Sequence, residues 1–398
     1  MAEAWPAVGS EEVDWTPAPE VEAHMDVFDR IRRSRPYAAT VPAFIADLDP
    51  GRHLDGPTWV RVREASAALP AFDAAVADLP VPMPAMLLRS EAASSSQIER
   101  LSASARNIAV AQLGISSREN AAEIAANVAA MRTALTAGDR IDEASILAVH
   151  TALMKDVAPE VTGSWRDRQV WVGGDSLSPH GADHIGPTHA RIPDLMADLA
   201  EFAERPDIDP LVLAAVMHAQ FETVHPFEDG NGRTGRVLLH TSLRRSRLVR
   251  QATVPISAGL LRDTRGYFAA LDSYRAGDLR PIVDIVSAGA IDAVENGLRL
   301  AQDTGRLREE WLTRIKARRD STAWRLADAL FAQPVVTAEW AATTLDVSDR
   351  AARNALAVLE AADVVTQARV AQRARVWQAG EVLASMDAFA RRAGRRRA

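Results

Sequence analysis

The residues best suited to chemistry in this 398-residue chain lie within one run of twelve, from His225 to Arg236. Pro226 disfavours the α conformation at the residue before it, so a helix is expected to end just before His225. The Gly-Asn-Gly sequence at 230–232 predicts a tight turn, because glycine readily adopts positive φ. A new helix is predicted to follow, and its free backbone N–H groups would form a site for an anion.

Four side chains around this turn could take part in chemistry. Arg233 and Arg236 are three residues apart, so they lie on one face of the new helix and can reach the same anion. Asp229 offers a hard oxygen ligand for a Mg²⁺ that bridges phosphates. His225 can be a neutral base near pH 7. Phosphoryl-type transfer needs these parts, and the alternative is a Gly-rich interhelical turn with surface arginines and a structural histidine.

The run as a whole resembles the signature of the Fic family, His-x-Phe-x-Asp/Glu-Gly-Asn-Gly-Arg-x-x-Arg, without a mismatch. The resemblance implies a protein adenylyltransferase, which transfers AMP from ATP to a hydroxyl side chain of a target protein and releases pyrophosphate. It also implies that His225 deprotonates the hydroxyl, Phe227 packs under the loop and Asp229 holds Mg²⁺. The residues expected to bind ATP are Gly230, Asn231, Gly232, Arg233, Thr234, Gly235 and Arg236.

Within this resemblance, the type of group transferred depends on Gly232. The related Doc toxins have a lysine at this position of the motif, and they phosphorylate their targets. Gly232 therefore favours nucleotidyl transfer, and transfer of another nucleotide such as UMP remains an alternative.

A glycine-rich stretch at 163–186 contains the run Gln-Val-Trp-Val at 169–172, the one place where the sequence predicts a β-hairpin. This stretch resembles the flap of the Fic family. The resemblance implies that an extended segment of the target protein pairs with the flap, between Val170 and Gly186, and presents its hydroxyl there. An ordinary surface hairpin is the alternative.

Ser95 and Glu99 are four residues apart in a predicted helix, so they share one of its faces. They resemble the inhibitory helix that precedes many Fic cores, which has Ser or Thr, three residues, Glu, and then Gly or Asn. The resemblance implies that Glu99 pairs with Arg236 and prevents productive binding of ATP. Arg100 stands where Gly or Asn is expected, and a solvated Glu-Arg helix surface is the alternative.

The hydrophobic pattern predicts a mainly α fold around these residues. We expect an N-terminal helical segment with the inhibitory helix at 1–105, a Fic core with a long exit helix at 106–318, and a third domain at 319–398. Residues 1–55 are predicted to be irregular, apart from a short helix near 21–33. Further helices are predicted at 56–79, 85–104, 119–135, 142–154, 190–203, 211–223, 232–248 and 281–318. His150 and His218 are expected in the core.

Residues 320–398 resemble a winged helix-turn-helix, with Ser348 as the N-cap of the third helix and a wing at 363–378. This region holds 11 arginines against nine acidic residues, so it could contact DNA, and a protein-binding or homodimer-forming module is equally consistent. A DNA-binding regulator whose Fic core senses nucleotide is therefore the alternative function. The arginines that could reach DNA are Arg350, Arg353, Arg373 and Arg375.

Composition limits the remaining function classes. The chain is 47% hydrophobic and 25% charged, which is typical of a soluble globular protein. A net charge of −7 argues against attraction of the whole molecule to nucleic acid or to an anionic membrane. The absence of cysteine excludes disulfides, thiol nucleophiles and Cys-ligated zinc. The sequence shows neither a signal peptide nor a membrane span, so a cytoplasmic location is expected.

Overall fold

A computed structural model describes residues 4–16, 26, 35–115, 118–136, 140–175, 177–370 and 375–394. The fold of these residues is mainly α, as predicted. Fifteen α-helices lie within the described ranges, in chain order: α1 (Gly56–Ala77), α2 (Met83–Ile98), α3 (Ala105–Ala111), α4 (Glu119–Thr136), α5 (Glu143–Met154), α6 (Ile192–Ala203), α7 (Pro210–Val224), α8 (Asn231–Arg245), α9 (Ile256–Leu260), α10 (Thr264–Arg275), α11 (Arg280–Arg314), α12 (Thr322–Ala332), α13 (Ala338–Leu345), α14 (Asp349–Ala361) and α15 (Gly380–Ala393).

The strands form three small sheets. They are β1 (Gly9–Val13) with β2 (Tyr37–Val41), β3 (Trp171–Val172) with β4 (His184–Ile185), and β5 (Val335–Val336), β7 (Arg375–Gln378) and β6 (Thr366–Arg369) in that spatial order. All neighbouring strands are antiparallel.

The prediction that residues 1–55 are irregular was wrong, because β1 and β2 form a second strand pair in addition to the predicted hairpin. Its register places Gly9 opposite Val41 and Val13 opposite Tyr37. The two strands are far apart in sequence, so no local turn signal announces their pairing. The short helix predicted near 21–33 lies outside the described residues, apart from Asp26.

The predicted helix at 85–104 is divided in two. α2 ends at Ile98, and Ser104 begins α3 by accepting a hydrogen bond at 3.3 Å from the backbone N–H of Asn107. The break falls at Arg100, whose φ of 64° cannot continue a right-handed helix.

The buried helix α7 sets the position of the chemical motif. Every residue from Leu211 to Val224 is buried, with α6 and α8 packed beside it. The helix begins as predicted, with Pro210 at the first position and the Asp209 carboxylate accepting from the N–H of Leu211 at 2.9 Å. A helix that is buried on all sides cannot rotate or slide easily. Its C-terminal end therefore holds His225 in a defined position.

One continuous hydrophobic core runs from Trp5 to Ala393. α15 packs against α11 and α2, and the Asn296 side chain of α11 donates to the carbonyl of Phe389 at 3.2 Å. The limits at 105 and 318 therefore remain predictions of domain organisation, since buried apolar residues continue across both of them.

The C-terminal region has the predicted order of three helices, α12 to α14, followed by the strand pair β6–β7. Ser348 caps α14, with its hydroxyl accepting from the N–H of Ala351 at 3.2 Å. Arg353 pairs with Asp349 at 2.7 Å, and Arg373 lies outside the described residues. Contact with DNA stays a prediction. Across the described ranges, no helix is both long enough and apolar enough to span a bilayer.

Candidate active site

His225 follows directly on α7 and turns the chain sharply. Its φ of 50° and ψ of 60° are left-handed, a conformation that costs a non-glycine residue about 1–2 kcal/mol. Arg166 holds this conformation in place. Its Nε donates to the His225 carbonyl at 2.8 Å, and its backbone N–H donates to the Pro226 carbonyl at 3.0 Å.

The imidazole of His225 is neutral near pH 7. Its side chain is only 17% exposed, and Nδ1 lies 3.4 Å from the Glu222 carbonyl oxygen. Burial lowers the pKa of His225 to about 4; the Glu222 carbonyl opposes this shift, and the positive charges of Arg166 and Arg275 add to it. An Nδ1–H that faces the carbonyl leaves Nε2 with a free lone pair, which is the form a general base needs.

The loop after His225 is held in place by a buried aromatic ring and by side-chain hydrogen bonds. Phe227 is fully buried and stacks on His150, with ring centroids 3.6 Å apart. The Asn231 side chain accepts from the N–H of Phe227 at 2.9 Å and donates to its carbonyl at 2.8 Å. The Asn231 amide is therefore occupied in shaping the loop, and only its backbone N–H is left for an anion. His150 has the core position that its sequence context predicted.

The start of α8 is open to an anion. Gly230 is its N-cap with a φ of 77°, and no side chain caps the first turn. A Cβ on Gly230 would lie 3.0 Å from the Met154 sulfur, so both the conformation and the packing require glycine here. The uncapped N–H groups and the helix dipole together favour negative charge at this point.

Both motif arginines are buried, so the alternative of surface arginines does not hold. Arg233 is 3% exposed and lies 3.2 Å from Glu123 of α4 and 3.6 Å from Asp229. Arg236 is 2% exposed, and its Nε donates to the Ser95 hydroxyl at 2.8 Å. Its Nη2 donates to the Ser95 carbonyl at 2.9 Å.

Glu99 reaches into this site from the end of α2. Its Oε1 accepts from Arg236 Nη2 at 2.8 Å, and its side chain is 37% exposed. Burial acts to lower the pKa of Arg236, but Glu99, Tyr267 and Glu222 together outweigh it and the net pKa is raised. A Cβ placed on Gly232 would lie 2.0 Å from Glu99 Oε1. The carboxylate therefore lies against the first turn of α8, where the anion is expected.

Arg100 occupies the left-handed position that ends α2. Its N–H donates to the Gln97 carbonyl and the N–H of Leu101 donates to the Ser96 carbonyl, both at 3.0 Å. These two bonds form a Schellman motif, in which glycine is strongly preferred at the position of Arg100. The requirement for positive φ explains why Gly or Asn was expected there. The structure pairs Glu99 with Arg236, and Arg100 is exposed.

Glu222 is a site residue that sequence reasoning missed. Its side chain is buried, Oε2 lies 4.0 Å from His225 Nδ1, and Oε1 has no hydrogen-bond partner. Burial raises the pKa of Glu222 to about 7; Arg236 lowers it and Glu99 raises it further. The signal in the sequence is slight, a single acidic residue near the end of the apolar run 210–224.

The glycine-rich stretch forms the predicted hairpin beside His225. Asp183 N–H donates to the Val172 carbonyl at 2.8 Å, and Gly186 N–H donates to the Val170 carbonyl at 3.2 Å. The Arg166 guanidinium joins the two ends of this hairpin by donating to the carbonyls of Arg168 at 2.7 Å and Pro187 at 2.6 Å. Arg166 therefore ties the hairpin to the His225 loop, a role that the sequence did not reveal.

Residues of the β1–β2 region contact the same hairpin and the segment that follows it. Glu11 accepts from Arg191 at 2.9 and 2.8 Å and from the Thr188 hydroxyl at 3.0 Å. The Trp15 ring meets the Trp171 ring edge to face at 5.6 Å. Residues from the start of the chain thus fix the position of a hairpin that lies beside the motif.

Residues 140–243 match the model of the Fic/DOC family. The matched stretch runs from just before α5 to near the end of α8, and it contains the hairpin and the whole His225 loop. The presence of a Fic domain, predicted from the motif, is confirmed for this part of the chain.

Two similar curated proteins are both named protein adenylyltransferase fic-1. The one from Caenorhabditis briggsae is 34% identical over 143 residues, which are 36% of this chain and 26% of that protein. The one from Caenorhabditis elegans is 33% identical over 150 residues, which are 37% of this chain and 27% of that protein. The chain therefore spans about a quarter of the length of these relatives.

The fold is also similar to that of a solved structure. A Fic family protein from Desulfovibrio desulfuricans G20 superposes with a TM-score of 0.53 at 21% identity. The match covers 82% of this chain and 97% of that one, so the likeness of fold extends well beyond residues 140–243.

Proposed function

We propose that this protein is an adenylyltransferase that moves AMP from ATP to a hydroxyl side chain of a target protein. The observation that carries the proposal is a neutral histidine at the start of a short loop that leads into an uncapped helix start, with two buried arginines on that helix. A base and an anion site held side by side are the parts that nucleotidyl transfer needs. The names of the two fic-1 relatives support the same activity.

In the proposed reaction, His225 Nε2 takes the proton of the target hydroxyl. The hydroxyl oxygen forms a bond to the α-phosphorus of ATP, and the bond from that phosphorus to the bridging oxygen of the β-phosphate breaks. Pyrophosphate leaves with the bonding electrons. The first turn of α8 would hold the α-phosphate, with Thr234 and Gly235 next along the helix, and Arg233 and Arg236 would bind the outer phosphates.

Asp229 is suited to hold a Mg²⁺ together with the phosphates. Its carboxylate is 64% exposed at the rim of the site. No group of three or more acidic or histidine side chains converges as a metal site in the described ranges. A lone carboxylate is sufficient for Mg²⁺ when phosphates and water supply the other ligands. The ion would neutralise charge on the leaving pyrophosphate.

The flap, residues 163–186, would receive the target protein. The Val170–Gly186 hydrogen bond makes Trp171 and Ile185 a non-hydrogen-bonded pair, so the main-chain groups of Trp171 point away from β4. In the described part of the chain, β3 has no second strand partner. An extended target segment could pair along this open edge and bring its hydroxyl to His225.

Glu99 would act as an inhibitory residue. Its carboxylate occupies the arginine and the helix start that the triphosphate needs. ATP must therefore displace Glu99 from Arg236 before its outer phosphates can bind to this arginine. Ser95, which binds the same guanidinium, would hold it in the inhibited position.

The proposal is tested with ATP labelled either at the α-phosphate or at the γ-phosphate. We expect label from the α-phosphate alone to enter protein, including this chain by self-modification. His225→Ala should reduce transfer by roughly 10²–10⁴ while ATP still binds, because the phosphate site remains. His189→Ala changes an exposed histidine and serves as the matched control. Transfer of γ-label, or full activity of His225→Ala, would disprove the mechanism.

A further inference from the structure

A cavity of about 500 Å³ lies beside α2, and none of the motif residues 225–236 lines it. It is bounded by α2, α4, the end of α3, and the α12–α13 region. Small side chains on α4 leave this space open. Four alanines at helical spacing face the cavity: Ala122, Ala125, Ala126 and Ala129. The proposed adenylyl transfer assigns no role to this cavity.

The wall of the cavity contains a buried cation that lacks a counter-ion. Arg89 of α2 is 4% exposed, and its Nη2 donates to Gln333 Oε1 at 2.7 Å. Its Nε and Nη1 have no hydrogen-bond partner. Among the described residues, no carboxylate lies within ion-pair distance of Arg89. A buried charge without a partner is costly, so this arrangement points to a ligand of opposite sign.

Other groups around Arg89 also favour an anionic ligand. Arg132 of α4 also lines the cavity, and burial together with this second positive charge lowers the pKa of Arg89 to about 10. Gln333 cannot rotate to relieve the charge further, because its amide nitrogen donates to the carbonyls of Ala109 and Val335, both at 2.8 Å. Asp156 lines the cavity too, but it is exposed.

We propose that this cavity binds a phosphate monoester of a small organic molecule, with its phosphate group held by Arg89 and Arg132. Two guanidinium groups match the double charge of a phosphate monoester. The alanine face of α4 and the ring of Trp340 would contact the organic part. Gln112 also lines the cavity, and its Oε1 is a buried acceptor without a partner.

Calorimetric titration of the full chain with phenyl phosphate and with inorganic phosphate tests the proposal. We expect phenyl phosphate to bind more tightly, because its ring buries apolar surface in the cavity. Arg132→Gln, a change at an exposed residue, should weaken binding by roughly tenfold. Arg89→Met should abolish binding, and it should raise the melting temperature of the ligand-free protein because it removes an unpaired buried charge.

Arg63→Gln, which changes an exposed arginine of α1, is the matched control and should leave binding unchanged. The absence of phenyl phosphate binding to the wild-type protein would overturn the proposal. Equal binding by wild-type, Arg132→Gln and Arg89→Met proteins would also overturn it, since the phosphate would then be bound elsewhere. If Arg89→Met fails to fold, the affinity of Arg132→Gln for phenyl phosphate is the deciding measurement, and unchanged affinity would overturn the proposal. None of these readouts depends on adenylyl transfer.

Discussion

At the scale of single residues, the proposed inhibition depends on which groups bind Arg236. The guanidinium of Arg236 donates two hydrogen bonds to Ser95 and one to Glu99. Of these contacts, the one with Glu99 is an ion pair, and the Glu99 carboxylate lies against the start of α8. The two residues predicted on one helix face thus make different contacts, and in the proposed inhibition Ser95 would orient the arginine while Glu99 would compete with an anion.

Glu99→Gly should therefore increase self-modification, by roughly tenfold if the competition is worth about 1.4 kcal/mol. The measurement is the rate of incorporation of α-label from ATP. Gln97→Gly, at an exposed position of the same helix, is the control for weakening of α2 itself. Equal rates for wild-type and Glu99→Gly proteins would show that Glu99 does not inhibit.

Arg100 gives a second prediction at this scale. Its left-handed conformation favours glycine, so Arg100→Gly should raise the free energy of unfolding by up to about 1 kcal/mol, measured by urea denaturation. The same replacement at Arg63, inside α1, should lower it by about 1 kcal/mol. A loss of stability in Arg100→Gly would mean that the arginine side chain stabilises the fold by more than its left-handed backbone conformation costs.

At the scale of elements, the flap is held at two places that come from different parts of the chain. Arg166 fastens its ends to the His225 loop, and Glu11 of β1 binds the segment that follows it. The first contact lies within the matched Fic domain, whereas the second comes from the N-terminal strand pair.

Glu11→Gln should loosen the flap without unfolding the protein. Its pairing with Arg191 is partly exposed, so the loss of global stability should be below about 1 kcal/mol. Amide hydrogen exchange of residues 170–186 should become faster. Glu12→Gln makes the same charge change at an exposed neighbouring position and should leave the exchange rates as they are. Unchanged exchange in Glu11→Gln would show that the brace does not restrain the flap.

At the scale of the whole molecule, buried histidines make stability dependent on pH. Burial lowers the pKa of His184 to about 2 and that of His218 to about 3, both from an ordinary value of 6.5. The unfolded chain therefore binds more protons than the folded one below pH 6.5, and stability falls as the pH decreases. Glu222, with its raised pKa, acts in the opposite direction between about pH 4.5 and 7 but is a single group.

We expect the urea midpoint to fall markedly between about pH 7 and pH 5, in line with this proton uptake. His184→Gln should reduce the slope of stability against pH, because one of the depressed groups is gone. His189→Gln, at an exposed histidine, should leave the slope unchanged. A midpoint that does not vary over this range would contradict the burial of neutral histidines.

Features fixed by neighbouring residues could be predicted from the sequence. The caps at Asp209 and Ser348 and the helix end before His225 each depend on a few adjacent residues, and the structure has all three. The pairing of β1 with β2 depends on residues far apart in the chain, so it was missed. Glu222 was missed for a related reason, since its chemistry arises from burial against Arg236 and His225 and not from its own neighbours.

The packing of α15 against α2 has a consequence for the order of synthesis. A chain is made from its N-terminus, so α15 emerges after every other helix described here. The matched Fic domain ends at residue 243 and α15 at Ala393, so 150 further residues must be added before α2, which carries Ser95 and precedes Glu99, is fully packed. At roughly 5–20 residues per second, that interval lasts about 8 to 30 seconds. During it, the nascent chain already contains the His225 loop, while α2 still lacks part of its support.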